Sequence, residues 1–193
     1  MLDDDVDCKK GYLHGILSEF NANPNLQGVA AWIYGEEREN PESPLNIAQK
    51  VILNLFLLPS PTNKKFKILG PYGNTGSYTK RRSIPDAEWF PGVNMCYKTS
   101  AIKGYKIPEP IGYNLMQDMD ISYYVFRRYG KYSLLITDKA QVIHRASQVE
   151  RYETYKRTLT GQEDRFIFYY RYFNNFTGTL KAIWSILGLI LLK

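Results

Sequence analysis

The chain has little of what would make several fold and function classes easy to recognise. Only two of its 193 residues are cysteine, Cys8 and Cys96, and only two are histidine. Two cysteines cannot build a disulfide framework, and no signal-peptide pattern opens the sequence, which points to a reducing, cytosolic setting. There is no internal repeat and no low-complexity tract. The apolar stretch from Ala182 to Leu192 is eleven residues without a charge, short of the roughly 18–20 that a membrane span needs. Hydrophobic residues at 44% and charged residues at 23% exclude a disordered or fibrous chain. The length suits one domain with a real core, or two very small ones.

Aromatics and uneven charge are what the sequence has in quantity. Aromatics make up 15%, with 16 tyrosines, which suggests broad surfaces for flat ligands or interfaces. The net charge is +6, but it is not spread evenly. Asp3, Asp4, Asp5, Asp7 and Glu19 stand against only Lys9 and Lys10 in the first 31 residues, whereas residues 61–106 are lysine- and arginine-rich, including Lys80, Arg81 and Arg82. An acidic pole facing a basic middle suits a cation at one end and an anionic ligand or membrane surface nearby; a solvated lysine-rich loop is the plainer alternative. Nucleic-acid binding is disfavoured by the acidic start and the lack of a recognisable module.

The spacing of Tyr12, Leu13, Ile16, Leu17 and Phe20 predicts a helix that Asn21–Pro24 ends. Gly28–Tyr34 predicts a buried strand. Ser43 and Pro44 look like an N-cap and first helical residue, ahead of an apolar helix ending near Pro59. Phe66–Leu69 predicts a short strand, and the glycine-bearing Gly70–Arg82 a mobile loop. Val93–Tyr97 reads as a strand, and a helix begins near Asp118 and closes at Gly130. Tyr132–Thr137 and Gln141–His144 read as two further strands. Strands alternating with helices predict an α/β fold. Three parts follow: a catalytic or acceptor part over 1–150, a basic aromatic helical segment over 151–181, and an apolar C-terminal segment over 182–193. That last part could lie in a membrane interface, be a span cut off at Lys193 or pack as an ordinary terminal helix; Lys181 and Trp184, with Arg165 and Arg171 upstream, favour peripheral membrane contact slightly over core packing.

Four groups of residues could carry chemistry. Asp3, Asp4, Asp5 and Asp7 crowd four carboxylates into five positions, a repulsion that a cation or solvent must relieve. An EF-hand loop fails, because Cys8 falls where its glycine belongs and His14 where its bidentate glutamate belongs. A metal site and an acidic turn capping the Lys9–Phe20 helix fit the composition equally well. Gln117-Asp118-Met119-Asp120 heads a helix, where free backbone N–H groups are expected to lower a carboxylate pKa and hold Asp118 ionised as a general base; plain N-capping is the ordinary alternative. His144 ends a predicted strand, where a lone histidine is more often structural than a ligand. Phe90-Pro91-Gly92-Val93-Asn94-Met95 joins an aromatic face to a tight turn.

Taken in order, Leu-Asp-Asp-Asp, Phe-Pro-Gly-Val-Asn-Met-Cys-Tyr-Lys, Gln-Asp-Met-Asp-Ile-Ser and Val-Ile-His resemble family 2 glycosyltransferases with the GT-A fold, from Met1 to about Tyr172. The resemblance implies a GT-A-like (Rossmann-like) mixed sheet flanked by helices, N-terminally incomplete. It implies an inverting, metal-dependent transfer from a nucleotide-sugar donor to a hydroxyl of a glycan or lipid-linked acceptor, at the cytoplasmic face of a membrane. Asp3 and Asp5 would end a DxD motif, Asp5 binding Mn²⁺ or Mg²⁺ with His144 as a late ligand, and Asp3 and Asp4 lying by the donor. Asp118 would be the catalytic base. Trp89, Phe90, Gly92 and Asn94 would wall the meeting point of donor and acceptor, with Gln117, in place of the commoner glutamate, beside the acceptor. Arg81 and Arg82 would hold phosphate or an anionic lipid carrier. The family's nucleotide-binding half would precede Asp3, so the expectation is a truncated frame, a fragment or one half of a split enzyme. The alternative is a non-catalytic remnant that binds a membrane or a partner.

Overall fold

The computed structural model describes residues 1–34, 47–58, 66–70, 73–75, 83–108, 116–145 and 154–191. In chain order the elements are β1 (Val6–Cys8), α1 (Tyr12–Ala22), β2 (Gly28–Tyr34), α2 (Ile47–Leu55), β3 (Lys67–Gly70), β4 (Gly73–Thr75), β5 (Cys96–Tyr97), α3 (Thr99–Ile102), α4 (Gln117–Tyr129), β6 (Leu134–His144), α5 (Thr154–Phe173) and α6 (Phe176–Leu191). The chain divides into two compact units. The first comprises Met1–Glu39, Ser77–Ile107 and Gln117–Tyr152; the second comprises Asn40–Gly76, Pro108–Met116 and Glu153–Lys193.

The first unit is a mixed α/β layer, as the alternating pattern predicts. Its sheet runs β1-β6-β2-β5. β2 lies parallel to β6, while β1 and β5 are antiparallel to their neighbours. β2 is apolar and buried from Gly28 to Ile33, the continuous pattern of a strand covered on both faces. The sheet also curls. Leu2 bridges Asn94 beyond the two edge strands, with the Met95 N–H donating to the Met1 carbonyl at 2.9 Å and the Asp3 N–H to the Val93 carbonyl at 3.2 Å. α4 carries Asp118 and Asp120 in its first turn and Arg127 and Arg128 in its last, the favourable arrangement for the helix dipole. It is followed by Gly130 at φ +82°, as expected for a residue just past a helix end.

Two expected strands, Tyr132–Thr137 and Gln141–His144, are one. β6 keeps pairing with β2 through a bulge: Ala31 pairs with Thr137 and Trp32 with Gln141, so residues 138–140 loop out. Polar bonds stabilise the bulge. Thr137 Oγ1 donates to Glu19 Oε1 at 2.7 Å and accepts from the Lys139 N–H, and Lys139 Nζ reaches Glu19 at 3.1 Å. Ser83 Oγ donates to Asp138 Oδ1 at 2.7 Å. The acidic start does not cap α1, whose N-cap is Gly11 at φ +86° and whose first turn holds no acidic residue. Val6–Cys8 is instead a strand at the sheet edge that contains Asp7, with Asp3, Asp4 and Asp5 in the segment leading into it.

In the second unit, β3 and β4 form a hairpin, so part of the expected Gly70–Arg82 loop is a strand. Ser43 and Pro44, and the basic Lys80-Arg81-Arg82, lie outside the described residues. The expected aromatic helix is α5, and the apolar tail belongs to α6, which starts upstream at Phe176. No helix among the described residues is long and apolar enough to cross a membrane.

Gly15 shows how tightly α1 seats on the bulge. A Cβ there would lie 2.6 Å from the Lys139 carbonyl oxygen, a backbone atom that cannot swing away. Gly15→Ala should therefore destabilise the protein by about 1–3 kcal/mol from overpacking, although the same change in an exposed helix gains up to about 1 kcal/mol. Urea denaturation reads the sign directly.

Candidate active site

Asp3, Asp5 and His144 converge. One ligand atom from each lies within 4.8 Å of the other two. Strand pairing produces this, because Val6 sits opposite His144 and the Arg145 N–H donates to the Asp5 carbonyl at 2.9 Å. His144 Nε2 approaches Asp5 Oδ2 at 3.5 Å. Asp7 points elsewhere, into an ion pair with the exposed Arg145. Asp4 is in the turn before β1 and exposed, outside the three-residue cluster.

The segment 90–95 ties this edge to the head of α4. Asp118 Oδ2 accepts from the Gly92 N–H at 2.9 Å, and its Oδ1 from the Met119 N–H at 2.8 Å. Gly92 faces the carboxylate at van der Waals distance. One residue further on, the Val93 carbonyl holds the Asp3 N–H. Behind Asp118, Ser122 Oγ donates to the Asp118 carbonyl at 2.6 Å, accepts from the Phe90 N–H at 3.0 Å and meets the Tyr97 hydroxyl at 2.7 Å. These bonds fix both the helix start and the loop that crosses it.

The electrostatics of Asp118 differ from the helix-start expectation. Burial drives its pKa up, from 3.8 to about 6, against the lowering effect of the bonds from Met119 and Gly92; the Asp3 carboxylate adds a smaller push in the same direction as burial. The sequence reading counted the N–H groups and missed the desolvation, which dominates for a carboxylate enclosed by protein.

The other expected site residues fall into two sets. Trp89, Gly92 and Gln117 keep partial exposure at the site. Phe90 and Asn94 are fully buried. Asn94 spends its side chain on β2, accepting from the Ala31 N–H and donating to the Ala31 carbonyl, so both residues shape the site from behind. Arg81 and Arg82 lie outside the described residues. Sequence reasoning missed Ser122 and Tyr97, the supports of Asp118. The available signal was the i, i+4 spacing of Asp118 and Ser122 on one helix face. A cleft of about 400 Å³ lined by Leu2, Cys8, Lys9, Tyr12, Leu13 and His14 opens beside this edge, one residue from Asp3.

A carboxyl whose pKa is raised on folding stabilises the protein fully below its unfolded value and loses that contribution as pH rises through its folded value. Stability to urea should therefore fall by about 1–3 kcal/mol between pH 4 and pH 7 through this group, a pH dependence that Asp118→Asn removes even though its amide nitrogen cannot accept one of the two backbone bonds. Carboxyl NMR titration of the wild type should place Asp118 at about 6, and Asp3→Asn should move it down. A midpoint in the ordinary aspartate range would mean that water reaches the group freely.

No family model, curated protein or solved structure matches the chain.

Proposed function

We propose that the chain carries the acceptor-side and catalytic portion of an inverting, metal-dependent glycosyltransferase with a GT-A-type fold. It would move a sugar from a nucleotide-sugar donor to a hydroxyl of a glycan or lipid-linked acceptor. One observation carries this reading: the carboxylate–imidazole cluster Asp3, Asp5 and His144 is joined to the raised-pKa Asp118 through three consecutive residues, Gly92 to Asn94.

The donor set suits Mn²⁺ or Mg²⁺. Two carboxylates and one imidazole are hard-to-borderline ligands with room left for a diphosphate. Ligand atoms about 2.1 Å from a small divalent ion stand roughly 3–4 Å apart, and the three available atoms lie within 4.8 Å of one another, so small side-chain adjustments suffice. Asp3, Asp5 and His144 would hold the ion. When bound, such an ion neutralises charge on a departing diphosphate.

Asp118 supplies the proton chemistry. With a pKa near 6 it is largely ionised at pH 7 yet basic enough to take a hydroxyl proton in the transition state. Each of its oxygens accepts one backbone bond, which leaves lone pairs for the substrate. As the acceptor oxygen bonds to the anomeric carbon, the bond to the diphosphate oxygen breaks, and the acceptor proton passes to Asp118. One displacement inverts the configuration. Trp89 and the Gly92 backbone, both partly exposed, would border the sugar.

Two measurements test the reading. Mn²⁺ titration by calorimetry should show one site that Asp5→Ala or His144→Ala weakens by about tenfold or more; unchanged affinity would remove the metal centre. Transfer from a nucleotide sugar should fall by about 10²–10⁴-fold in Asp118→Asn. In the wild type it should decline about tenfold per pH unit below 6, as Asp118 gains its proton. Activity that survives the substitution would sink the assigned base.

A further inference from the structure

α6 is built with its large side chains on the outside. Its buried residues are Gly178, Ala182, Ser185 and Gly188, spaced to form one face of the helix. Gly188 sits so close that a Cβ would meet Phe56 Cβ at 2.3 Å. Opposite that face, Phe176, Leu180, Ile183, Leu187, Ile190 and Leu191 are all at least 45% exposed. Ile186, at the flank, and Leu189, near the end of the helix, are also exposed, so the apolar surface extends beyond the outer face. In water this arrangement is costly, since each large aliphatic side chain left exposed forgoes about 1.5–3 kcal/mol of burial. Small residues against protein and large ones outward is instead the arrangement of helices whose outer medium is lipid.

Charge selects among the possible occupants. The segments of the second unit carry ten lysines and arginines against five aspartates and glutamates, while the first unit has fifteen against fourteen. Thus nearly all of the net positive charge belongs to the unit that displays the apolar helix. A second copy would bring the same basic excess to the contact. An anionic lipid surface complements it. One face of α6 is buried against protein and the other is apolar and exposed, the two-sided division of a helix lying in the interface. Trp184 fits that depth: its indole N–H donates to the Leu55 carbonyl at 2.6 Å and its ring stacks on Phe56, while the residue stays 42% exposed.

We propose that α6 is an in-plane membrane anchor, its outward face seated at the headgroup–acyl boundary of an anionic bilayer. The anchor is independent of the reading of the acidic site, because it uses none of those residues.

The test is co-sedimentation of the full chain with vesicles of phosphatidylcholine, with and without a quarter of phosphatidylglycerol. The wild type should bind the anionic vesicles more tightly and lose affinity in high salt. Leu187→Glu should weaken binding by about tenfold or more, and Lys181→Gln by about fivefold. Leu187→Ser serves as a second, uncharged variant should the glutamate disturb folding, with far-UV circular dichroism as the check. Three results would overturn the proposal: no binding to either vesicle, binding that Leu187→Glu and Leu187→Ser leave unchanged, or a wild-type dimer that these variants convert to monomer with no lipid binding. The last would make the face a self-interface. None of these results touches the Mn²⁺ and proton-transfer tests.

Discussion

The first unit depends on one side-chain amide. In the register set by Gly28 opposite Tyr97 and Val29 opposite Cys96, the next outward position on β2 is Ala31 opposite Asn94. There the backbone pairing of β5 has already ended. Asn94 replaces it with its side chain, which satisfies both the N–H and the carbonyl of Ala31, while its backbone turns to bridge Leu2. One residue therefore serves two strands, and the sheet curls because of it. Asp3 is held by Val93 and Asp118 by Gly92, so both halves of the acidic site hang from the segment that Asn94 anchors. Buried amides of this kind are costly unless every polar atom is paired, and a hydrophobic residue at 94 could not replace the missing pairing on β2.

Around that anchor the site stores free energy. Backbone N–H bonds stabilise the ionised form of Asp118, and desolvation opposes them more strongly. The protein therefore holds, at neutral pH, a carboxylate whose ionisation costs more in the folded chain than in water. Such an arrangement persists where the surrounding structure over-determines it, and perturbed carboxyls of this sort concentrate at functional sites. Ser122 and Tyr97 are what over-determine it. They lock the start of α4 and the Phe90 backbone into one network, which fixes the backbone that carries Asp118, while the Gly92 and Met119 N–H groups hold its carboxylate.

What the sequence made legible was local. The unbroken apolar run of Gly28–Ile33 identified β2, and the start near Asp118 and the close at Gly130 identified α4. The order of Asp3, Asp5, Asp118 and His144 singled out residues that lie near one another in the fold: three converge in one cluster, and segment 92–93 bonds to both Asp3 and Asp118. The parts that stayed hidden depend on partners distant in sequence. Nothing near Asn94 says that its amide serves Ala31, 63 positions away. Asp138-Lys139-Ala140 looks like a strand break, and it is a bulge only because Glu19 and Ser83 satisfy its polar groups. The acidic cluster looked equally able to cap α1; Gly11 took that place, and the carboxylates went to a strand edge.

The C-terminal helix illustrates a different limit. Its composition announced an apolar segment, but composition does not say which side chains face inward. Periodicity is equally silent when every position is apolar or small, since a hydrophobic stripe is visible only against polar residues. Here the informative pattern is one of size. Gly178, Ala182, Ser185 and Gly188 allow close backbone approach, and that close approach on one face leaves most of the large aliphatic residues on the other. The apolar surface is therefore a consequence of how the helix packs. Substituting polar residues on the outer face leaves the inner contact intact, which separates the helix's role in folding from whatever its outer face meets.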